Sequence, residues 1–226
     1  MTDKKNISSF QAIKIGASIC RKTHGIAGHY VFIKQVTNEE IKKGIQFIEK
    51  IEKDIKIAYL FLPGNAMFPA KRIYLKGILH VHKSYNVSNK KLKKIALAYN
   101  PMLEVLVKRK VQKIFLIAPY FRLTWESPIC YCKGFYKKYN RNHIKKCNAI
   151  VLRQLKKQCV NLGLDFKILD IADQEPALLG DIKPCSNRKK MFKILDCDQV
   201  HFARDAHFRL STYLRSQGHQ AISGKC

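Results

Sequence analysis

Three short segments of this chain carry the residue types of acyl-transfer chemistry. Gly16-Ala17-Ser18 closes an apolar run that begins at Ala12, and Gly64-Asn65 follows the apolar run Lys56–Leu62. Asp198-Gln199-Val200-His201 stands just ahead of an amphipathic stretch near Arg204–Ser216. A serine hydroxyl becomes a nucleophile when an imidazole takes its proton. That imidazole needs a carboxylate to fix its tautomer and stabilise its charged form, and Asp198, three residues before His201, offers one. Asn65 supplies an amide for a developing oxyanion, beside backbone N–H groups of Ser18 and a nearby glycine. Such a mechanism requires no metal or organic cofactor.

Chemistry of this kind needs elements that bring distant segments together. Ala12–Ile19 (AIKIGASI) and His29–Val36 (HYVFIKQV) read as strands. Thr37 and Asn38 offer helix caps, Glu39 and Glu40 suit a first turn, and Ile41, Ile45, Ile48 and Ile51 recur at helical spacing. Lys56–Leu62 and Val111–Ala118 are nearly continuous apolar runs, as expected of strands buried on both faces. Between them an irregular basic stretch precedes a helical pattern over Asn89–Lys110, interrupted at Asn100-Pro101.

Residues 120–141 read as a loop rich in aromatics, cysteines and lysines. Asn142–Leu162 is an amphipathic helix whose stripe is Ile144, Cys147, Val151, Leu155 and Cys159, stopped by Gly163. Phe166–Ile171 is a further strand, and the last helix lies near Arg204–Ser216. Strands separated by helices predict one domain over 1–226, with its core at about 12–216. The expected fold is a three-layer α/β/α sandwich around a mostly parallel sheet. In open sheets of this kind reactive groups gather beyond the carboxyl ends of the strands, where all three segments fall.

The same segments resemble the SGNH/GDSL hydrolase family. IKIGASICRK looks like its serine block, YLFLPGNAMF like its Gly-x-Asn block, and VQKIFLIAPYFR like the strand that follows. CDQVHFARDAHFRLSTYL is similar to its closing Asp-x-x-His block and helix, so the resemblance runs from about Ala12 to Leu214. It implies an SGNH-hydrolase-like, flavodoxin-like fold and a serine esterase acting on a small ester. Ser18 would be the nucleophile, His201 the base, Asp198 its partner and Asn65 an oxyanion donor. The family's Gly block, a further oxyanion donor, has two candidate positions here: Gly28, or Gln35-Val36-Thr37 with its glycine missing. Ala17 and Ala66 stand where the family commonly has aspartates. Domains in some retroelement proteins resemble the same family and work beside nucleic-acid binding.

Charge carries a second expectation. The 226 residues include 43 Lys+Arg against 16 Asp+Glu, a net +27. Residues 66–164 hold 22 basic side chains and only Glu104 and Glu126, so +20 of the excess sits in the middle of the chain. A basic face of this size is expected to attract polyanions, whether RNA, DNA or an anionic membrane. The clusters are Lys90-Lys91-Lys93-Lys94, Lys108-Arg109-Lys110 and Lys137-Lys138, with Lys71-Arg72 nearby and Tyr131, Phe135, Tyr136 and Tyr139 around the last. Lysines grip phosphates with little geometry, and aromatics stack unpaired bases. A catalytically inert domain of the same fold that binds nucleic acid is therefore the alternative to the esterase.

Cys130, Cys132, His143 and Cys147 have zinc-ligand chemistry, but the CxC spacing departs from CxxC and Cys147 falls on the apolar stripe. Packing is the stronger reading, and no metal is expected. His80 and His82 alternate in ILHVH, which reads as a strand or extended segment. By type they offer a ligand pair, but surface positions are the expectation, and His207 reads as a helix-face residue and not the base. No run approaches the roughly 20 apolar residues of a membrane span. The start lacks the apolar core of a signal peptide, and eight cysteines are too sparse for a disulfide scaffold. A cytoplasmic or nuclear location is expected.

Overall fold

A computed structural model of the chain describes residues 11–17, 20–21, 23–67, 70–75, 78–83, 87–118, 141–171 and 204–223. At residues 65, 70–75, 78–83, 141–144, 204–206 and 223 it describes the backbone. The strands are β1 (Ala12–Gly16), β2 (His29–Phe32), β3 (Ile57–Phe61), β4 (Ala70–Leu75), β5 (Ile78–Lys83), β6 (Lys113–Ala118) and β7 (Phe166–Asp170). The helices are α1 (Asn38–Glu49), α2 (Gly64–Met67), α3 (Asn89–Leu97), α4 (Asn100–Lys108), α5 (Arg141–Asn161) and α6 (Arg204–Ser223).

Five strands form one parallel sheet in the order β2-β1-β3-β6-β7. With the separate β4–β5 hairpin set aside, this is the flavodoxin-like order 2-1-3-4-5. The expected α/β class is what the chain adopts. Period-two alternation divides the buried side chains between two layers. Ile13, Ile15, Ala58, Leu60, Ile114 and Leu116 face a core shared with α1, α3, α4 and α5. Ala12, Ile57, Tyr59, Phe61, Phe115 and Ile117 face a second core with Cys20, Ile26 and α6.

Local chemistry explains the helix limits. Thr37 and Glu40 form a reciprocal capping box at the start of α1. Gly44 lets α1 approach closely, because a Cβ there would lie 2.6 Å from Met102 Cε and 2.8 Å from Val31 Cγ1. The helical pattern 89–110 is two helices: Ser88 caps α3, and Pro101 sits in the first turn of α4, where its missing N–H costs nothing. The basic stretch after α2 contains an antiparallel hairpin; its second strand, β5, is the expected extended segment ILHVH, whereas the sequence pattern does not announce β4. The proposed loop over 120–141 lies outside the described residues, save that Arg141 begins α5.

Helix α6 extends beyond the expected Ser216 because Gly218 serves packing and not termination. The Tyr59 hydroxyl donates to the Leu214 carbonyl at 3.0 Å. A Cβ on Gly218 would sit 2.2 Å from that hydroxyl and 3.4 Å from Ile57 Cδ1. Alanine is the better helix former by about 1 kcal/mol, yet Gly218→Ala is expected to destabilise the protein by about 1–3 kcal/mol through overpacking. Tyr59→Phe in the same chain should recover most of that loss. A double-mutant cycle in chemical denaturation checks this; additive effects would refute the contact.

Candidate functional site

The strand order has its switch point between β1 and β3, and the crevice beyond their carboxyl ends is where ligands of such folds bind. Ile15 pairs with Leu60 in register, so Gly16 and Phe61 end side by side. A Cβ on Gly16 would lie 2.8 Å from Phe61 Cβ and 2.9 Å from Cys20 Cβ, and φ there is +156°. Only glycine fits where β1 gives way to the turn. Beyond β3, Leu62 N–H bonds Ile117 O, and α2 follows at once. Asn65 lies in that single turn, and Ala66 and Met67 beside it are buried.

The third segment reaches the same end of the sheet through α6. Leu214 lies beside Tyr59 and Gly218 beside Ile57, so α6 runs antiparallel to β3. Its first residue, ten before Leu214, is displaced about 15 Å toward the carboxyl ends. Ser18, Asp198 and His201 themselves lie outside the described residues. The described chain thus brings together the end of β1, the Asn65 turn and the start of α6.

Gly28 does not join them. It immediately precedes β2, and His29 pairs with Ile13 near the beginning of β1. Four residues of parallel strand, about 13 Å, separate its level from that of Gly16, so as an oxyanion donor it is displaced to the opposite end. The segment at the carboxyl end of β2 is Ile33–Thr37, the alternative position of the Gly block. Val36 there has φ +59°, a left-handed conformation rarely taken by a β-branched residue. Its amide is engaged: Glu40 Oε2 accepts from Gln35, Val36 and Thr37 N–H at 2.9, 2.8 and 3.4 Å.

Sequence reading missed what supports the chain just after β1, at Gly16-Ala17 and at Arg21 and Thr23. Lys14 points inward from the middle of β1 and is 8% exposed. Its Nζ donates to Thr23 O at 2.5 Å and Arg21 O at 3.3 Å, and lies 5.2 Å from the centroid of the Tyr30 ring. The Tyr30 hydroxyl donates to Gly16 O and Ala17 O at 3.1 and 3.2 Å. Burial holds the Lys14 pKa below the ordinary lysine value, opposed by the nearby Cys20. Burial also raises the Tyr30 and Cys20 pKa values, keeping the phenol a donor and the thiol protonated. No sequence signal distinguishes Lys14 from a strand-surface lysine.

Of the basic clusters, Lys90, Lys91, Lys93 and Lys94 are exposed on α3, as are Lys108 and Lys110 at the end of α4. Lys137 and Lys138 lie outside the described residues, as do Cys130 and Cys132; for His143 the backbone alone is described. Cys147 is buried in the α5 core, which raises its thiol pKa and disfavours the thiolate that a metal needs. His207 is likewise buried on α6.

Lys14→Met removes the donor to two carbonyls and is expected to cost about 1–3 kcal/mol at neutral pH. A depressed folded pKa means that the unfolded chain holds the proton more tightly. Stability of the wild type over Lys14→Met should therefore grow as pH rises from neutral toward 10.5, the ordinary lysine value. Guanidinium titrations of both proteins at pH 7, 9 and 10 test this, and a constant difference would refute it.

No family model and no curated protein matches the chain. Two solved structures align at 10% and 11% identity over 97% and 96% of this chain and 99% and 100% of their own, each with a TM-score of 0.47. A phospholipase A1 from Streptomyces albidoflavus NA297 aligns at 9% identity over 95% of this chain and 98% of that one, with a TM-score of 0.41. A trans-2-enoyl-CoA reductase from Clostridium acetobutulicum, solved with NADH, aligns at 10% identity over 94% and 77%, with a TM-score of 0.38. Likeness at this level adds nothing to the strand order already read from the chain itself.

Proposed function

We propose that this chain is a serine ester hydrolase of SGNH type acting on a small acyl ester. The observation that carries the reading is the convergence of the β1 end, the Asn65 turn and the start of α6 on the switch-point end of one parallel sheet. Ser18 Oγ attacks the ester carbonyl carbon as His201 Nε2 takes its proton, with Asp198 stabilising the imidazolium. The Ser18 N–H and the Asn65 amide receive the oxyanion. Collapse of the tetrahedral species expels the alcohol, which takes the proton from His201. Water, deprotonated by His201, then releases the acid and restores Ser18.

A second reading is a catalytically inert domain of the same fold that binds RNA or DNA. It is favoured by the four exposed lysines of α3, none of which has a carboxylate partner among the described residues. The engagement of the 35–37 amides by Glu40 favours it as well.

Short-chain aryl esters and a fluorophosphonate probe separate the two. Wild type should turn over the esters and be labelled. Ser18→Ala should lose labelling and about a thousandfold or more of the rate. An unlabelled wild type overturns the hydrolase. Retention of single-stranded RNA that weakens steeply with salt then supports the second reading.

A further inference from the structure

A cleft of about 410 Å³ opens at the amino ends of β3 and β6, the end of the sheet away from the candidate catalytic crevice. Its lining is Asp54, Ile55, Lys56, Lys108, Arg109, Lys110 and Gln112. Four cations face one carboxylate, and Gln112 adds a side-chain amide. A concave wall of low dielectric focuses such a field. Among the described residues no carboxylate pairs with Lys56, Lys108 or Lys110, whereas Lys43 pairs with Glu39 and Lys113 with Asp165.

Hydrogen bonds tie the frame of the cleft together. Lys56 N–H bonds Gln11 O, and Gln112 N–H bonds Lys56 O. Arg109 Nη2 donates to the carbonyls of Ile51 and Lys53, fastening the segment after α1 to the end of α4. Its Nε is buried without a hydrogen-bond partner. Three of the last four carbonyls of α4, which would repel an anion, are closed by main-chain donors. Arg109 N–H takes Val105 O, Lys110 N–H takes Val107 O, and Val111 N–H takes Leu106 O.

That closure places Lys110 at φ +54°, in the left-handed region that favours glycine. Helix α5 ends with the same pair of bonds and has glycine there: Gly163, φ +65°, with Gly163 N–H on Val160 O and Leu164 N–H on Cys159 O. A lysine kept in that strained conformation, on the wall of a cationic cleft, is a backbone outlier of the kind that accompanies function. We infer that this cleft binds phosphate oxyanions, with Lys56, Lys108 and Lys110 as the charged contacts. The inference deepens the nucleic-acid reading by giving it a site, and it stands apart from the hydrolase reading.

The test uses the full chain with two probes: a single-stranded RNA 12-mer without terminal phosphates, and tripolyphosphate. For RNA, Lys108→Gln/Lys110→Gln should lower the slope of log affinity against log salt by about 1.4, at about 0.7 per lost contact. That corresponds to about twentyfold weaker binding at 0.1 M salt. Lys110→Gly removes one cation and relieves the backbone, so it should melt no lower than wild type while losing about half of that slope change. Tripolyphosphate should raise the melting temperature of wild type and not of the double variant if the cleft takes a compact oligophosphate. An RNA response without that shift assigns the cleft to a strand backbone; either outcome supports the site. Wild-type affinity, salt slope and tripolyphosphate response in both cleft variants would overturn it. If Lys90→Gln/Lys91→Gln/Lys93→Gln/Lys94→Gln alone weakens RNA binding, the broader reading survives on α3 while the cleft is excluded.

Discussion

An ammonium group inside an apolar layer is the interaction on which the candidate site depends. Lys14 stands in the central part of the sheet, on the face where Ala12, Tyr59, Phe61 and Phe115 form the second core. Water is replaced there by carbonyls of the turn that follows the strand. The cost of burying the charge and the shape of the turn are therefore the same problem, because Thr23 O and Arg21 O must face inward to solve it. Tyr30 meets the same turn from β2, and Gly16 supplies the only backbone that clears Phe61 and Cys20. The course of the chain at Gly16-Ala17 and at Arg21 and Thr23 is thus set by side chains beneath it.

Parallel topology then separates two surfaces. Every strand of the main sheet points the same way, so its carboxyl and amino ends differ chemically. The carboxyl ends gather Gly16-Ala17, the Asn65 turn and the start of α6, in a part of the chain with modest net charge. The amino ends gather the close of α4 and the approach to β3, where Lys56, Lys108 and Lys110 stand. A five-residue strand, about 17 Å, lies between the two levels. A polyanion at one end would leave the other open to a small molecule.

Much of this architecture was legible because parallel strands buried on both faces leave nearly pure apolar runs. Lys56–Leu62 and Val111–Ala118 became β3 and β6 almost as read, and the stripe of Cys147, Val151, Leu155 and Cys159 became the buried face of α5. Strand β5 was legible in the alternating segment ILHVH, whereas β4 escaped because Lys71 and Arg72 interrupt its apolar alternation. Strand β2 ends at Phe32 and not at Val36, since Val36 turns left-handed and its neighbours' amides go to Glu40. Gly28 matched a motif by its letters, whereas register decides which end of a strand a residue occupies, and letters do not carry register. The site's support was the least legible. Lys14 occupies an inward strand position like any alternating residue, and only the carbonyls of Arg21 and Thr23, brought back beneath it by the turn, make its burial tolerable.

The segment after β2 bears directly on how a hydrolase of this fold would work. A carboxylate oxygen that accepts three successive N–H groups is held by charge-assisted hydrogen bonds, and it also closes the capping box of α1. Freeing one of those amides for a substrate oxygen would mean opening the cap. Glu40 therefore leaves such an enzyme with the Ser18 N–H and the Asn65 amide as its oxyanion donors. A single donor of this kind contributes about 10²–10³ in rate. A hydrolase on this chain would accordingly fall short of a three-donor relative by about that factor while keeping the same reaction course. Slow turnover with full active-site labelling is the signature of that arrangement, and it differs from the absence of both that an inert domain would give.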